Sequence, residues 1–299
     1  MIPLPPQTMH LPFEDGPFRM AMGLFTVPDS AWFELDARYP DDMAERARLL
    51  NDLRDDVFGV LPTAEPACRE ALDAIADNLT QHHPDWFARD SADLHNRLTD
   101  ERWNIADPIL HPLEIAARLV QEDLCLIQVT PDGPIFSAGA LCFPSRWRLH
   151  EKLGLPLADV HGPVPIYPDR LARPVDRFME KLRVGHIASR LNWSVLDDPT
   201  LFQPGGKWRK DVNTDISADN AGQTLFLRVE RQTLRRLPIT DAILFGIRVH
   251  NYPLHTVARD AHTARQLAGA VRALPESIVH YKSFLPFRPA LLAWLDARG

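Results

Sequence analysis

The stretch that decides the fold runs from Leu225 to Leu254, LFLRVERQTLRRLPITDAILFGIRVHNYPL. Apolar and polar residues alternate from Leu225 to Glu230 and again from Ile243 to His250. Such alternation with a period of two is typical of β-strands that have one apolar face. Pro238 and Asp241 lie between the two runs and are residues that favour turns. The stretch therefore predicts a β-hairpin.

The charged residues of this hairpin suggest a site on one of its faces. If the hairpin is symmetric about Ile239, Glu230 faces Arg248 and Arg228 faces His250 across the ladder. This register puts two guanidinium groups, a carboxylate and a titratable imidazole on the same face of the sheet. Such a face is either solvated or lines a site.

Elements on both sides of the hairpin define the fold class. Apolar residues at helical spacing predict helices at about 41–58, 66–80, 111–123, 169–182, 254–274 and 288–297. Further strands are predicted at 124–130, 135–143 and 186–194. Helices come first, strands follow and helices return, without the strand–helix–strand alternation of parallel sheets. The sequence predicts an α+β fold with a mostly antiparallel sheet of about five strands, flanked by N- and C-terminal helices, in a single domain over residues 1–299.

Composition and charge exclude several classes of protein. The 299 residues include 45% apolar and 24% charged residues, which is ordinary for a folded chain. A formal net charge of −7 argues against nucleic acid or an anionic membrane as the main partner. No apolar run reaches about 18 residues, so we expect no membrane anchor and a cytoplasmic location. The three cysteines, Cys68, Cys125 and Cys142, have no CxxC spacing, which argues against a disulfide framework or a zinc knuckle.

Familiar catalytic motifs are absent from the sequence. There is no GxGxxG, no GxSxG and no HExxH. Gly205, Gly206 and Lys207 lack the upstream glycine and the following Ser or Thr of a phosphate-binding loop. The sequence therefore argues against a self-contained nicotinamide enzyme, ATPase, serine hydrolase or zinc protease. Any chemistry depends on a bound cofactor or on less patterned residues.

Four regions carry a resemblance to a known family. They are RMAMGL at 19–24, QEDLCLIQ with ALCFPSRWRLHEKLG within 121–154, DVHGPVPIY at 159–167 with RLNWSV at 190–195, and LRVERQTLRRLP at 227–238. In this order and spacing they resemble the haem-dependent oxidative N-demethylase family, over about residues 13–290. The RVERQTL and NW stretches are the most specific.

The resemblance implies a fold, a cofactor and a reaction. It implies a PAS-like sheet that holds haem b. It also implies O₂-dependent oxidation of a small secondary amine such as dimethylamine, with release of formaldehyde. The chain offers no flavin or iron–sulfur site, so the electrons would come from an external flavin or iron–sulfur reductase partner, with other subunits expected.

A haem requires an axial ligand such as His, Cys, Met or Tyr. His161 lies in the family-like HGPVP stretch and is the first candidate for the metal ligand, although a loop histidine often only binds backbone. Cys142 is an alternative, because a thiolate favours cleavage of the O–O bond. A buried free cysteine, however, is usually a small apolar residue. His150 and His186 are further alternatives.

The predicted catalytic residues lie on the hairpin and on the strand before it. Glu230 would hold an alkylammonium group by charge and receive a proton during the reaction. Arg228 belongs to the same charged wall, and Asn192 would orient O₂ or substrate through hydrogen bonds. The alternative interpretation is an exposed ion-pair network, which contributes little to stability.

Three further residues are predicted to bind the cofactor together with His161. Arg248 and Arg190 would contact the haem propionates, because the planar guanidinium group pairs with carboxylates in a bidentate manner. Trp193 would form an apolar wall, unless it is an ordinary core residue. The other basic residues have less specific predicted roles: Arg146 and Lys152 are alternative propionate contacts, and Arg231 and Arg235 are expected to face solvent or a partner. His82, His83, Asp260 and His262 match no metal-site pattern.

Two functions from other classes remain open. PAS-like folds often sense ligands, so the chain would also suit a haem-binding sensor. A sensor usually carries an output module or a coiled-coil helix, and neither is visible in the sequence. The third hypothesis is a haem-free scaffold subunit.

Overall fold

The computed structural model describes residues 3–299 and shows an α+β protein with two antiparallel sheets. The strands are β1 (Phe25–Val27), β2 (Phe58–Val60), β3 (Phe87–Asp90), β4 (Asp93–Asn96), β5 (Glu101–Asn104), β6 (Asp123–Thr130), β7 (Gly133–Ala140), β8 (Ile187–Leu196), β9 (Phe226–Arg236) and β10 (Ile243–Pro253). Seven of them form the main sheet in the order β1-β8-β9-β10-β6-β7-β2, and β3, β4 and β5 form a small second sheet.

Helices precede, interrupt and follow the main sheet. They are α1 (Tyr39–Asp52), α2 (Arg54–Val57), α3 (Glu65–His82), α4 (Pro112–Ala117), α5 (Leu157–Val160), α6 (Tyr167–Arg170), α7 (Ala172–Lys181), α8 (Ala221–Thr224), α9 (Leu254–Val257), α10 (Ala261–Ala273), α11 (Glu276–Tyr281) and α12 (Arg288–Asp296). Short 3-10 turns occur at Asp29–Ala31 and Pro62–Ala64. None of the helices within residues 3–299 is both long and apolar enough to cross a bilayer.

The predicted fold class is confirmed, but the predicted number of strands was too small. The main sheet has seven strands rather than about five, because β1 and β2 are edge strands of three residues each. Strands this short carry too few residues for a visible alternation. The helix predicted at 111–123 ends at Ala117, and Asp123 already belongs to β6. The PAS-like relationship and the single-domain organisation stay predictions.

The predicted hairpin is present, but its register was wrong by one residue. Glu230 lies opposite Val249, and Arg231 lies opposite Arg248. The carboxylate of Glu70 in α3 accepts hydrogen bonds from the backbone N–H groups of Ile239 and Thr240, at 2.7 and 2.8 Å. This contact from a distant helix fixes a six-residue turn, 237–242, whose centre lies between the two residues rather than at Ile239.

The corrected register separates residues that were predicted to share a face. Directly paired residues of antiparallel strands point to the same side of the sheet. Arg190 and Asn192 of β8 pair with Gln232 and Glu230 of β9, and we call their side the cavity face. Arg231, Arg248 and His250 point to the other side, which we call the opposite face.

Buried charges join the opposite face to the N-terminal part of the chain. The fully buried Arg248 donates hydrogen bonds to Asp36 Oδ2 at 2.9 Å and to Asp42 Oδ2, in α1, at 3.1 Å. Gln121 Nε2 donates to the same Asp42 oxygen at 2.7 Å. Because each carboxylate is removed from water, these partners are needed to offset its desolvation.

A second buried ion pair connects α1 to the start of β6. Arg46 Nη1 donates to Asp123 Oδ1 at 3.0 Å, and neither side chain is exposed to solvent. Asp123 also accepts hydrogen bonds from the backbone N–H groups of Cys142 and Phe143. The QED stretch at 121–123 is therefore a structural junction between α1, β6 and the segment after β7.

We expect Arg248→Met to lower the free energy of unfolding by about 3–5 kcal/mol, because it removes the buried cation that Asp36 and Asp42 share. The matched control is Arg272→Met, which removes a half-exposed ion pair with Asp296. That change is expected to cost less than about 1 kcal/mol. Urea unfolding of both variants measures the difference, and equal losses would contradict a buried network centred on Arg248.

Candidate functional site

The cavity face of the main sheet forms one wall of a cavity of about 730 Å³. This volume lies in the range of small-molecule sites, about 300–1,000 Å³. Strands β6, β8, β9 and β10 supply one wall, residues 145–179 supply a second, and the N-terminal segment 11–24 supplies a third. The cavity is therefore built from segments that are far apart in the sequence.

The cavity has an apolar part and a strongly cationic part. Its apolar lining includes Ile127, Phe136, Leu157, Val175, Phe178, Leu234, Phe245 and Ile247. Its basic residues are Arg19, Arg146, Lys152, Arg190, Lys207, Arg228 and Lys282. Only two carboxylates, Glu14 and Glu230, are found among the described lining residues. The cavity thus suits an amphipathic ligand that carries anionic groups.

Glu230 is held in place by two amide groups. Its Oε2 accepts hydrogen bonds from Asn192 Nδ2 at 3.2 Å and from Gln232 Nε2 at 2.8 Å. Its Oε1 accepts none from any residue in the range 3–299. One oxygen is therefore fixed while the other remains available, which is the arrangement that binding of a cation or transfer of a proton requires.

His161 is the one histidine among the described residues that line the cavity. Its Nδ1 lies 2.8 Å from the carbonyl oxygen of Leu157, so Nδ1 carries the proton and donates it. The imidazole ring stacks on Tyr167 at a centroid distance of 4.5 Å. Burial, with further contributions from Lys152 and Arg190, lowers the pKa of His161 to about 4. At neutral pH the ring is therefore uncharged, with its Nε2 lone pair free to bind a metal.

Two residues at the cavity have backbone conformations that side chains rarely adopt. Arg146 has φ 63°, and Ile166, directly before Tyr167, has φ 70°. A positive φ is unusual for any residue other than glycine and is least favourable for a β-branched residue. Such strain tends to occur at functional sites. Sequence reasoning gave Tyr167 and Ile166 no role, although both end the proline-rich, family-like stretch at 159–167.

Arg228 lines the cavity but is already saturated with hydrogen bonds. Its guanidinium group donates to Ser145 Oγ and to the carbonyl oxygens of Phe143, Pro144, Thr200 and Leu201. Because these acceptors lie in two separate loops, Arg228 holds the loops together beside the sheet. The structure gives it a positioning role rather than a free guanidinium group.

Lys282, which sequence reasoning missed, lies beside the predicted residues of β8. Its ammonium group donates to the carbonyl oxygen of Trp193 and lies 3.5 Å from Asn192 Oδ1. Burial lowers the pKa of Lys282 to about 8, although the negative charge of Glu230 opposes that shift. Trp193 pairs with Val229 and so belongs to the opposite face by register. It contacts Phe13 edge-on at a ring distance of 5.8 Å and lines the cavity together with the N-terminal segment.

Several predicted residues lie outside the cavity lining. Arg248 is on the opposite face, bound to Asp36 and Asp42. Cys142 is fully buried, and burial raises the pKa of its thiol to about 12, so no thiolate forms near neutral pH. His150 and His186 are exposed on the surface.

Arg231, expected to face solvent, is instead buried and paired with Glu34 Oε1 at 3.1 Å, because the true register turns it toward the N-terminal segment.

One comparison with known proteins identifies a family for this architecture. A family model described as "Haem-dependent oxidative N-demethylase, alpha subunit-like" matches residues 23–292. The matched region includes every strand of both sheets and most of the cavity lining.

The residues at the cavity fit a haem. A neutral histidine with a free Nε2 is a suitable axial donor, and the apolar wall suits a porphyrin ring. Arg190 Nε and Arg146 Nη1 are buried without a hydrogen-bond partner among residues 3–299. Arg146 already pairs with Asp197 through Nη2 at 3.4 Å, but buried N–H groups that lack a partner still need an acceptor. Carboxylates such as the propionates would satisfy them.

The lowered pKa of Lys282 leads to a prediction about stability and pH. The folded protein loses this proton near pH 8 and the unfolded chain near pH 10.5, so the unfolded chain holds more protons between these values. The stability of the wild type relative to Lys282→Met should therefore rise from about pH 8 to 10.5 and remain constant below pH 8. Urea unfolding across this range measures it. Lys181→Met, at an exposed lysine of α7, serves as the control, and a flat difference for Lys282→Met would contradict the lowered pKa.

Proposed function

Because the chain belongs to the haem-dependent oxidative N-demethylase, alpha subunit-like family, we propose that it binds haem b in the cavity and demethylates a small secondary amine with O₂. The single observation that carries this proposal is the combination of a free imidazole nitrogen, guanidinium nitrogens without a hydrogen-bond partner and an apolar wall in one cavity. We further propose that the main sheet corresponds to the PAS-like sheet that the resemblance implies.

His161 would hold the iron through Nε2, since Nδ1 is bound to the carbonyl oxygen of Leu157. A backbone acceptor on the second nitrogen fixes the tautomer and the orientation of a ligating imidazole. Arg190 and Arg146 would pair with the propionates, and Lys207 would add positive charge nearby. Arg228 would keep the surrounding loops in place. Arg248 has no part in this proposal, because its two carboxylate partners are structural.

When bound, haem supplies the activation of O₂, using electrons delivered by an external flavin or iron–sulfur reductase. Overall, a secondary amine, one O₂, two electrons and two protons would give a primary amine, formaldehyde and water. The alkylammonium substrate would bind to Glu230, whose Oε1 would then accept the ammonium proton. Asn192 and Gln232 would hold Oε2, so that the carboxylate keeps its orientation during the transfer.

The first test is the ultraviolet–visible spectrum of the protein purified from haem-supplemented cells. We expect a Soret band that shifts with dithionite and CO in the wild type, and loss of most of the haem in His161→Ala. Exposed His186→Ala and buried Cys142→Ser are the controls and should retain haem.

An unchanged spectrum in His161→Ala would remove His161 as the ligand. If the wild type shows no Soret band even after hemin is added, the oxidase proposal fails. A scaffold subunit would then be the better hypothesis. The position of the CO band separates a histidine ligand from a thiolate ligand.

We expect Glu230→Gln to retain haem but to lower kcat/KM for dimethylamine by about 10²–10⁴-fold, the usual range for loss of a general acid or base. Formaldehyde release with a surrogate reductase measures the rate. The control is Glu151→Gln, at an exposed carboxylate next to the cavity residue Lys152. If haem content and activity fall together in Glu230→Gln, Glu230 is structural.

A further inference from the structure

A compact group of metal-ligating side chains lies on the opposite face, away from the cavity. His10 Nε2 and His250 Nε2 each lie 3.0 Å from the same carboxylate oxygen, Glu34 Oε2. The three donor atoms lie within 4.8 Å of one another. No other such group occurs among residues 3–299. The three residues come from the N-terminal segment, from the loop before α1 and from β10.

We propose that His10, Glu34 and His250 bind a zinc ion. Two imidazole nitrogens and one carboxylate oxygen are a common donor set for Zn²⁺, which coordinates them at about 2.0–2.2 Å in a tetrahedral arrangement. The two distances of 3.0 Å from the imidazole nitrogens to the carboxylate oxygen are close to what such a tetrahedron requires, and the two nitrogens lie within 4.8 Å of each other. The side chains of His10 and Glu34 are 16% and 23% exposed, so a water molecule has access to the fourth position.

The surroundings support the donor set. Arg231 Nε binds Glu34 Oε1 at 3.1 Å, which leaves Oε2 for the ion and fixes the carboxylate plane. The second nitrogen of His250, Nδ1, lies 3.2 Å from the side-chain amide of Gln7. With zinc on Nε2, Nδ1 carries the proton and donates it to the amide oxygen after a simple amide rotation. Outer-shell contacts of this kind are typical of metal sites.

The charges around the group do not oppose a cation. Four carboxyl groups, those of Glu34, Asp36, Asp42 and Glu122, lie beside three guanidinium groups, those of Arg38, Arg231 and Arg248. Glu122 Oε1 accepts a hydrogen bond from the backbone N–H of Glu34 at 3.0 Å, while its Oε2 is buried without a partner among residues 3–299. The site therefore has no surplus of positive charge that would repel a divalent ion.

The competing interpretation is a hydrogen-bonded His–Glu–His group without a metal. In that case protons on the two Nε2 atoms occupy the space that zinc would fill, and 3.0 Å distances also suit hydrogen bonds. The two interpretations differ in one measurable property, because only the metal site binds zinc with a dependence on all three side chains.

The zinc site would have a consequence for the cavity. His10 also donates its backbone N–H to Tyr252 Oη at 3.3 Å, and Tyr252 donates to the carbonyl oxygen of Thr8 at 2.6 Å. Residues 11–24, which follow directly, form one wall of the cavity. Zinc would therefore attach the start of this wall to β10, because it would bind both His10 and His250. Binding at the opposite face would order a segment that covers the cavity face.

The experiment measures zinc bound to the full chain by equilibrium dialysis against ZnCl₂, with metal counted by mass spectrometry. We expect one zinc per wild-type chain, and at least a tenfold weaker affinity in His10→Ala and in Glu34→Gln. His262→Ala, at an exposed histidine of α10, is the control and should bind as the wild type does. Iron is counted separately, so the result does not depend on whether haem is present.

Thermal unfolding provides a second measurement on the same proteins. Zinc should raise the Tm of the wild type and of His262→Ala by several degrees, but not that of His10→Ala, because a ligand stabilises only the state that binds it. His10 is on an irregular segment at the surface, so His10→Ala should still fold. Absence of zinc from the wild type, or equal binding by His10→Ala, would overturn the proposal and leave an adventitious ion or a hydrogen-bonded group.

Discussion

The architecture depends on how the buried Arg248 is neutralised. A guanidinium group without access to water must be surrounded by anions and acceptors, and Asp36 and Asp42 supply them from the region of α1. Arg46 of α1 and Asp123 of β6 form a second buried ion pair of the same kind. Because these pairs leave little freedom in how α1 lies against the sheet, the N-terminal part of the chain covers the opposite face around Arg248. The C-terminal helices α9 to α12 cover the same face beside Leu227 and Val229. The cavity face is left to hold a ligand.

Most strands and helices could be predicted from the sequence, whereas the long-range contacts that position the site residues could not. The alternation at 225–254 predicted β9 and β10, since it reflects local burial. Their register is set by Glu70, a residue more than 150 positions earlier in the chain, and no local pattern reports such a contact. The error of one residue moved Arg248 and His250 to the wrong face. This is the expected result in a structure with a side-chain period of two.

The candidate site was predictable where residues lie on the same or neighbouring strands. Asn192 and Glu230 were proposed together, and the structure places them in hydrogen-bond contact. Lys282 and Tyr167 were missed, because one comes from a C-terminal helical region and the other from a proline-rich loop. The net charge of −7 also gave no indication of the cationic cavity lining, which has seven basic residues and two acidic ones. A charge averaged over a chain says little about one concave surface.

The left-handed backbone of Arg146 and Ile166 has a consequence for affinity. Conformations of this kind cost about 1–3 kcal/mol each, and they persist only where the surrounding fold enforces them. This conformational strain is already present in the folded protein before any ligand binds. A ligand that enters a rigid cavity loses less conformational entropy on binding than one that must first order its surroundings. Substitutions that relax these two loops would therefore weaken binding without removing a single contact to the ligand.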